Sequence, residues 1–223
     1  HVLDIPIGLG DEDAVISLRL GEGTSHHGLI GGGTGGGKST LLHTIIMSSM
    51  LHYSPDQLHL YMMDFKGGTE FKIYESERLP HIQLLALDAM QEFGESILQN
   101  LIEEMENRSN AFKNAGGYTK IEDYVRGTGN PMPRILVIMD EFQILFDDST
   151  NRKVAMRSAN HAKRIVTEGR AYGVHLLMAT QSTNIISTLT LDRGTIEQMR
   201  VRIGLKCGED DARYLFSDRY ERD

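Results

Sequence analysis

A glycine-rich stretch that ends in lysine and serine is the segment whose residue types are best suited to chemistry. Gly32-Gly33-Thr34-Gly35-Gly36-Gly37-Lys38-Ser39 fits the pattern G-x-x-x-x-G-K-[ST]. In this pattern the glycines let backbone N–H groups turn around phosphates, the lysine offsets charge on the β and γ phosphates, and the serine hydroxyl is a ligand for Mg²⁺. A short apolar strand precedes the loop and a helical spacing of apolar residues follows it, as such a loop requires. We therefore predict an ATP and Mg²⁺ site whose nucleotide-binding residues are Gly32, Gly33, Thr34, Gly35, Gly36, Gly37, Lys38, Ser39 and Thr40.

An acidic pair follows a continuous apolar run much later in the chain. Asp140-Glu141 comes directly after Ile135–Met139, which has the character of a strand buried on both faces. Because parallel sheets place ligands at the carboxyl ends of their strands, we predict that Asp140 and Ser39 hold Mg²⁺ and that Glu141 is the general base for the attacking water. A GTPase usually lacks this glutamate, and the sequence has no Asn-Lys-x-Asp guanine signature, so ATP is the predicted nucleotide. The alternative is an ordinary solvated strand end.

Gln181 occupies the equivalent position after the next apolar strand, Val174–Ala179. A polar amide at a strand's carboxyl end can touch the γ-phosphate or its water and so report hydrolysis. We predict this role for Gln181. The alternative is that the side chain only caps the strand.

Apolar runs that suit strands alternate with segments of helical spacing along the chain. This alternation predicts an α/β fold with a mostly parallel central sheet and helices on both faces. Strands are predicted at 15–20, 28–30, 58–65, 82–87, 135–139, 174–179 and 201–206. Helices are predicted at 39–52, 88–115, 151–172 and 210–216, with Asp88 as the cap of the second and Gly116-Gly117 at its end.

The composition is that of one domain with a substantial core, since 40% of the 223 residues are hydrophobic. We expect a single domain over 1–223, with 1–24 as an N-terminal strand extension, and interpret the chain as a piece of a longer protein because it begins without Met.

Its net charge of −8 argues against simple coating of DNA, and the nine histidines show no zinc pattern. No apolar run is long enough to span a membrane, so membrane contact is expected only through segments outside this chain. The expected location is the cytoplasm, or the cytoplasmic face of the membrane in the longer protein.

Six separate motifs resemble those of FtsK/SpoIIIE-type motors and occur in the order of that family. They lie within residues 25 to 217, at 32–39, 63–68, 79–81, 104–108, 137–142 and 169–181. The resemblance implies a RecA-like P-loop fold, a motor domain that hydrolyses ATP at subunit interfaces, and a homo-oligomeric, hexameric ring. The family includes double-stranded DNA translocases and the motor subunits of type VII protein secretion.

Double-stranded DNA is the predicted cargo of the motor, and secreted protein is the alternative. The tail Arg200–Cys207 resembles free-standing FtsK-like proteins, which favours DNA. Asp64-Phe65-Lys66-Gly67-Gly68 is similar to the secretion branch, since many DNA translocases carry Asp-Pro-Lys there. Ser182-Thr183 stands where DNA translocases often have Arg-Pro.

Two arginines are candidates for the residue that a neighbouring subunit contributes to the transition state. Arg108 lies at the edge of an apolar helical stripe and matches the family pattern Glu-Met-Glu-x-Arg, so it is the first candidate, and Arg170 is the second. A salt bridge or simple packing is the alternative for each. Lys153, Arg157 and Arg164 share one helix face, which would meet the next subunit, DNA phosphates or only solvent.

Overall fold

A computed structural model describes residues 2–181 and 190–216, so Ser182-Thr183 lies outside the described residues. The strands are β1 (Leu3–Leu9), β2 (Val15–Leu20), β3 (Gly28–Gly31), β4 (Leu58–Asp64), β5 (Ile82–Ala86), β6 (Arg134–Asp140), β7 (Val174–Thr180) and β8 (Val201–Gly204). The helices are α1 (Lys38–His52), α2 (Gln91–Asn114), α3 (Ile121–Thr128), α4 (Gln143–Phe146), α5 (Asp148–Tyr172), α6 (Arg193–Glu197) and α7 (Glu209–Phe216). None of the helices in the described part of the chain is both long and apolar enough to cross a membrane.

Six strands form one parallel sheet in the order β5-β4-β6-β7-β3-β8. Strand β7 lies between β6 and β3, and the ends of the three strands are aligned: Asp140 pairs in register with Ala179, and Gly31 with Thr180. The sheet therefore brings the acidic pair and the glycine loop to the same edge, although they are far apart in sequence. The predicted α/β fold is confirmed.

Alternate residues of the central strand β6 point into two different apolar layers. Leu136 and Ile138 are buried on the side of α1, whereas Val137 and Met139 are buried on the side of α2, α4 and α5. Successive side chains of a strand point to opposite faces, so a strand covered on both sides needs apolar residues at every position. This explains the continuous apolar run and confirms that helices cover both faces.

The first two strands form an antiparallel hairpin outside the parallel sheet. Inward-facing residues of both strands, Leu3, Ile5, Leu18 and Leu20, are buried in the layer that contains α1. The predicted strand at 15–20 exists, but its partner is β1 and not the main sheet. Strand β1 was not predicted because Pro6 and Gly8 are unusual inside a strand, and the pairing register shifts between them.

Helix α2 begins later than predicted. Asp88 has a φ of 53° and accepts the N–H of Gly67 at 3.1 Å, and Met90 is the N-cap residue of the helix. The prediction that Asp88 caps this helix was wrong, because its carboxylate instead holds the loop that follows β4. That loop begins at the end of β4, beside the acidic pair at the end of β6.

Two histidines are buried where β3 and β7 begin. The Nδ1 atom of His175 lies 2.8 Å from the carbonyl oxygen of His26, and Nδ1 of His27 accepts the N–H of Leu176 at 3.0 Å. Burial lowers the pKa of His27 to about 3 and that of His175 to about 4. Both rings are therefore neutral in the folded chain at a pH where an unfolded histidine, with a pKa of 6.5, is protonated.

We predict that the free energy of unfolding falls as the pH decreases from 6.5 towards 4, because the unfolded chain then binds protons that the folded chain excludes. The variant His175→Asn keeps a donor for the His26 carbonyl but does not titrate. It should remove on the order of 2 kcal/mol of the acid-dependent loss, measured by urea unfolding between about pH 7 and about pH 4.5. His52→Asn, at an exposed position, is the matched control. Equal pH dependence in wild type and His175→Asn would contradict this account.

Candidate nucleotide-binding site

The loop after β3 adopts a conformation that requires glycine at several positions. Gly35 and Gly37 have φ values of 72° and 95°, which are strained for other residues. A Cβ atom on Gly36 would lie 2.8 Å from the carbonyl oxygen of Gly33 and 2.9 Å from that of Lys206. Gly37 is also the N-cap of α1 and has no side chain to cap the helix, so the first-turn N–H groups are left for a ligand. The loop has the geometry of an anion-binding turn at a helix N-terminus.

Lys38 is folded inward against the acidic pair. Only 4% of its side chain is exposed, and its Nζ atom contacts Asp140 Oδ1 and lies 3.2 Å from Glu141 Oε1. Burial acts to lower the pKa of Lys38, but the attraction of the two carboxylates outweighs it and raises the pKa above the usual value. Burial raises the pKa of Asp140 to about 6, against the opposing pull of Lys38. Above that pH the site holds one ammonium group between two carboxylates.

The backbone of Glu141 is strained. Its φ is 52°, a left-handed value that costs a residue with a side chain on the order of 1 kcal/mol. The next residue, Phe142, is fully buried, and its N–H donates to the carbonyl of Ala179 at 3.2 Å. Gln143 Nε2 donates to Glu141 Oε2 at 2.7 Å. The turn and this hydrogen bond hold the Glu141 carboxylate at the end of β6, and strain of this kind is typical of active sites.

Gln181 connects the glycine loop to the acidic pair. Its Oε1 atom accepts the hydroxyl of Thr34 at 3.2 Å, and its backbone N–H points to Glu141 Oε2 at 3.5 Å. The residue lies directly after β7, which separates the strands that carry the loop and the acids. Gln181 is thus in contact with both the glycine loop and the acidic pair, so a movement of either would alter its hydrogen bonds.

Oxygen atoms of the kind that bind Mg²⁺ lie on residues at or next to the loop, although the described residues contain no group of three or more His, Cys, Asp or Glu side chains arranged to hold a metal. Ser39 Oγ donates to Glu70 Oε2 at 2.7 Å, and the buried residues Asp64 and Asp140 end neighbouring strands in register. Carboxylate and hydroxyl oxygens are the ligands that Mg²⁺ prefers. Lys38 balances only part of the negative charge of these buried carboxylates, so a divalent cation fits the site both chemically and electrostatically.

The two candidate arginines have different surroundings. Arg108 is only 3% exposed, and it donates to Glu104 Oε1 and to the carbonyl oxygen of Tyr172, each at 2.7 Å. It joins α2 to the last residue of α5, two residues before β7 begins, so it lies at the sheet edge opposite the site. Arg170 lies near the same end of α5 but is exposed. A guanidinium must be exposed to enter a neighbour's site without rearrangement. Arg170 meets this condition and Arg108 does not.

Sequence reasoning missed three residues at this edge: Asp64, Glu70 and Gln143. Asp64 was detectable, because it ends a parallel strand just as Asp140 does. Glu70 and Gln143 follow strand ends by several residues, and their position depends on the path of a loop that no residue spacing reveals. The Lys66 side chain, close to Asp64 in sequence, is exposed, and its backbone N–H donates to Asp64 Oδ1 at 2.8 Å.

Taken with the parallel sheet, this edge defines the chain as a P-loop ATPase domain. The sequence profile of the FtsK/SpoIIIE family matches residues 3–131. The chain is 30% identical over 215 residues to the ESX secretion system protein EccC of Thermomonospora curvata, which covers 92% of the chain and 15% of that protein. It is 32% identical over 201 residues to the DNA translocase FtsK of Streptococcus pyogenes, which covers 85% of the chain and 24% of that protein. The chain therefore belongs to the FtsK/SpoIIIE family.

The structural comparison agrees with the sequence. The cytoplasmic domain of the type VII secretion ATPase EccC of T. curvata superposes with a TM-score of 0.77 at 29% identity. The match covers 96% of this chain and 25% of that one. The chain thus spans a quarter or less of the length of these relatives.

Proposed function

We propose that this domain is the motor of an ATP-driven translocase and works as one subunit of a hexameric ring. The observation that carries the proposal is the contact of Lys38 with both Asp140 and Glu141 at the edge where the glycine loop begins. One ammonium group beside two carboxylates supports the roles of phosphate-binding cation, metal-binding carboxylate and general base, which is the set that hydrolysis of ATP requires. The ring and the translocation are supported by membership of the FtsK/SpoIIIE family.

The residues of this chain divide the chemistry among themselves. The loop amides and Lys38 bind the phosphates. To do so, Lys38 gives up part of its contact with Asp140 and Glu141 and contacts phosphate oxygens instead. Ser39 and Asp140 hold Mg²⁺, which supplies further positive charge beside the phosphates. Glu141, oriented by Gln143, takes the proton from the attacking water.

Gln181 and an arginine from the neighbouring subunit complete the site in this proposal. Gln181 senses the γ-phosphate, a role supported by its bonds to both Thr34 and Glu141. Arg170 becomes the better candidate for the arginine in trans because it is exposed, whereas Arg108 is already bound within its own chain. An arginine supplied in trans stabilises charge that develops in the transition state.

DNA is one candidate cargo, supported by the similarity to the DNA translocase FtsK of S. pyogenes. The exposed Arg152 and Lys153 at the start of α5 would supply phosphate contacts. Secreted protein is the second candidate, supported by the similarity to the ESX proteins. A location of the domain in the cytoplasm, or at the cytoplasmic face of the membrane, is compatible with either cargo.

A specific observation favours protein as the cargo. Three further basic residues along α5 are paired with acids of the same chain, although the exposed Arg170 is not among them: Arg157 with Glu95, Lys163 with Asp192, and Arg164 with Glu106 and Glu168. These pairs reduce the positive charge that this helix offers to DNA.

Replacing the general base tests the hydrolytic part of the proposal. Glu141→Gln in the full-length, assembled protein should lower the rate of ATP hydrolysis by about 10²- to 10³-fold, because the amide cannot take the proton from water. Binding of ATP, measured by equilibrium fluorescence, should persist. Glu103→Gln, at an exposed position on α2, is the matched control and should hydrolyse ATP normally. Hydrolysis by Glu141→Gln at the wild-type rate would sink the assigned role.

The cargo is tested by stimulation of ATP hydrolysis in the full-length protein. With DNA as cargo, duplex DNA stimulates hydrolysis, the effect weakens steeply with added salt, and Lys153→Glu reduces it while the exposed Lys113→Glu does not. With protein as cargo, a synthetic helical secretion-signal peptide stimulates hydrolysis and duplex DNA has no effect. Failure of both polymers to stimulate an active ATPase would contradict the translocase proposal itself.

A further inference from the structure

The Glu70 carboxylate accepts a hydrogen bond from the hydroxyl of the serine that ends the glycine loop. Ser39 Oγ donates to Glu70 Oε2 at 2.7 Å, and the other carboxylate oxygen, Oε1, lies 3.4 Å from His43 Nε2. Glu70 lies in the segment between β4 and β5, outside the motifs that bind nucleotide. None of the chemistry described above uses it.

The direction of this hydrogen bond matters for metal binding. A serine hydroxyl has one proton and two lone pairs. When the proton is donated to Glu70, the lone pairs are left to face other partners, and a metal ion needs one of them. Ser39 is therefore held in the orientation that a ligand of Mg²⁺ requires.

The Glu70 carboxylate is fixed by the chain on both sides of it. The Glu70 N–H donates to Asp64 Oδ2 at 3.1 Å, and Phe71, the next residue, is fully buried in the core. Only 20% of the Glu70 side chain is exposed. An acceptor held this firmly can restrict the rotation of the serine hydroxyl.

His43 extends the contact towards a buried tyrosine. It lies one helical turn after Ser39 on α1, and its Nδ1 atom is 2.8 Å from the hydroxyl of Tyr74. When Tyr74 donates to Nδ1, the ring proton is on Nε2 and points to Glu70. The Glu70 carboxylate thus lies between Ser39 on one side and His43, which contacts Tyr74, on the other.

We propose that Glu70 is a positioning residue for Mg²⁺ at the ATP site, acting through the hydroxyl of Ser39. The inference rests on the proposed function, since it assumes that Ser39 is a metal ligand. Residues that hydrogen-bond to metal ligands orient them, and their removal commonly weakens metal affinity by about 10- to 100-fold. In this proposal the segment that carries Glu70 is linked to the metal through Ser39.

The test is the Mg²⁺ dependence of nucleotide binding in the full-length protein. Binding of a fluorescent ADP analogue is titrated with Mg²⁺ and is also measured in EDTA. Glu70→Ala should raise the half-saturating Mg²⁺ concentration about tenfold and leave binding in EDTA unchanged. Glu70→Gln keeps an acceptor for Ser39 and should restore most of the Mg²⁺ dependence. Glu75→Gln, exposed in the same segment, is the control and should behave as wild type.

Three outcomes separate the possible failures. Unchanged Mg²⁺ dependence in Glu70→Ala overturns the inference, and so does an equal loss of binding with and without Mg²⁺, which would indicate a purely structural role. Wild-type binding that ignores Mg²⁺ would instead contradict the proposed metal site. If Glu70→Ala has no cooperative thermal transition, Glu70→Met gives the same test, because it keeps the length of the side chain and removes the acceptor.

Discussion

Negative charge buried at one edge of the sheet is the constraint on which this domain depends. Asp64, Asp140 and Glu141 are all buried where neighbouring strands end, and removing such charges from water is unfavourable unless they are paired. Asp64 is satisfied by backbone N–H groups, whereas the other two share the ammonium group of Lys38. The same lysine is the proposed phosphate ligand. In the proposed function, the triphosphate and its metal exchange the partners of these groups: the lysine gains a phosphate and the carboxylates gain a cation.

The fold creates this edge through its strand order. Because β7 lies between the strand of the glycine loop and the strand of the acids, Gln181 at its end touches both and joins them. The strained turn at Glu141 is maintained by the burial of Phe142 directly after it. Local strain at the site is thus offset by packing in the core, which gives the carboxylate a fixed place at the end of β6.

The features that sequence could predict are those that follow local rules. The glycine loop needs particular residue types at fixed spacing, and β6 is apolar at each position from Ile135 to Met139 because both of its faces are covered, so both were predictable. The hairpin partner β1 was missed because Pro6 and Gly8 obscure its pattern, and Asp88 was misassigned because its side chain bonds to a distant loop. Arg108 was placed at the edge of a helical stripe, but its burial depends on the end of α5, which the sequence around it does not encode.

The most direct test of the central claim is a double-mutant cycle between Lys38 and Asp140. Unfolding by urea is measured without nucleotide or Mg²⁺, at about pH 8, where a carboxylate with a pKa of about 6 is ionised. Lys38→Met alone should destabilise the domain by about 3 kcal/mol, because it leaves buried carboxylates unpaired, and the loss should be much smaller when Asp140→Asn is already present. If the two substitutions are additive within about 0.5 kcal/mol, Lys38 does not balance this buried charge and the account is contradicted.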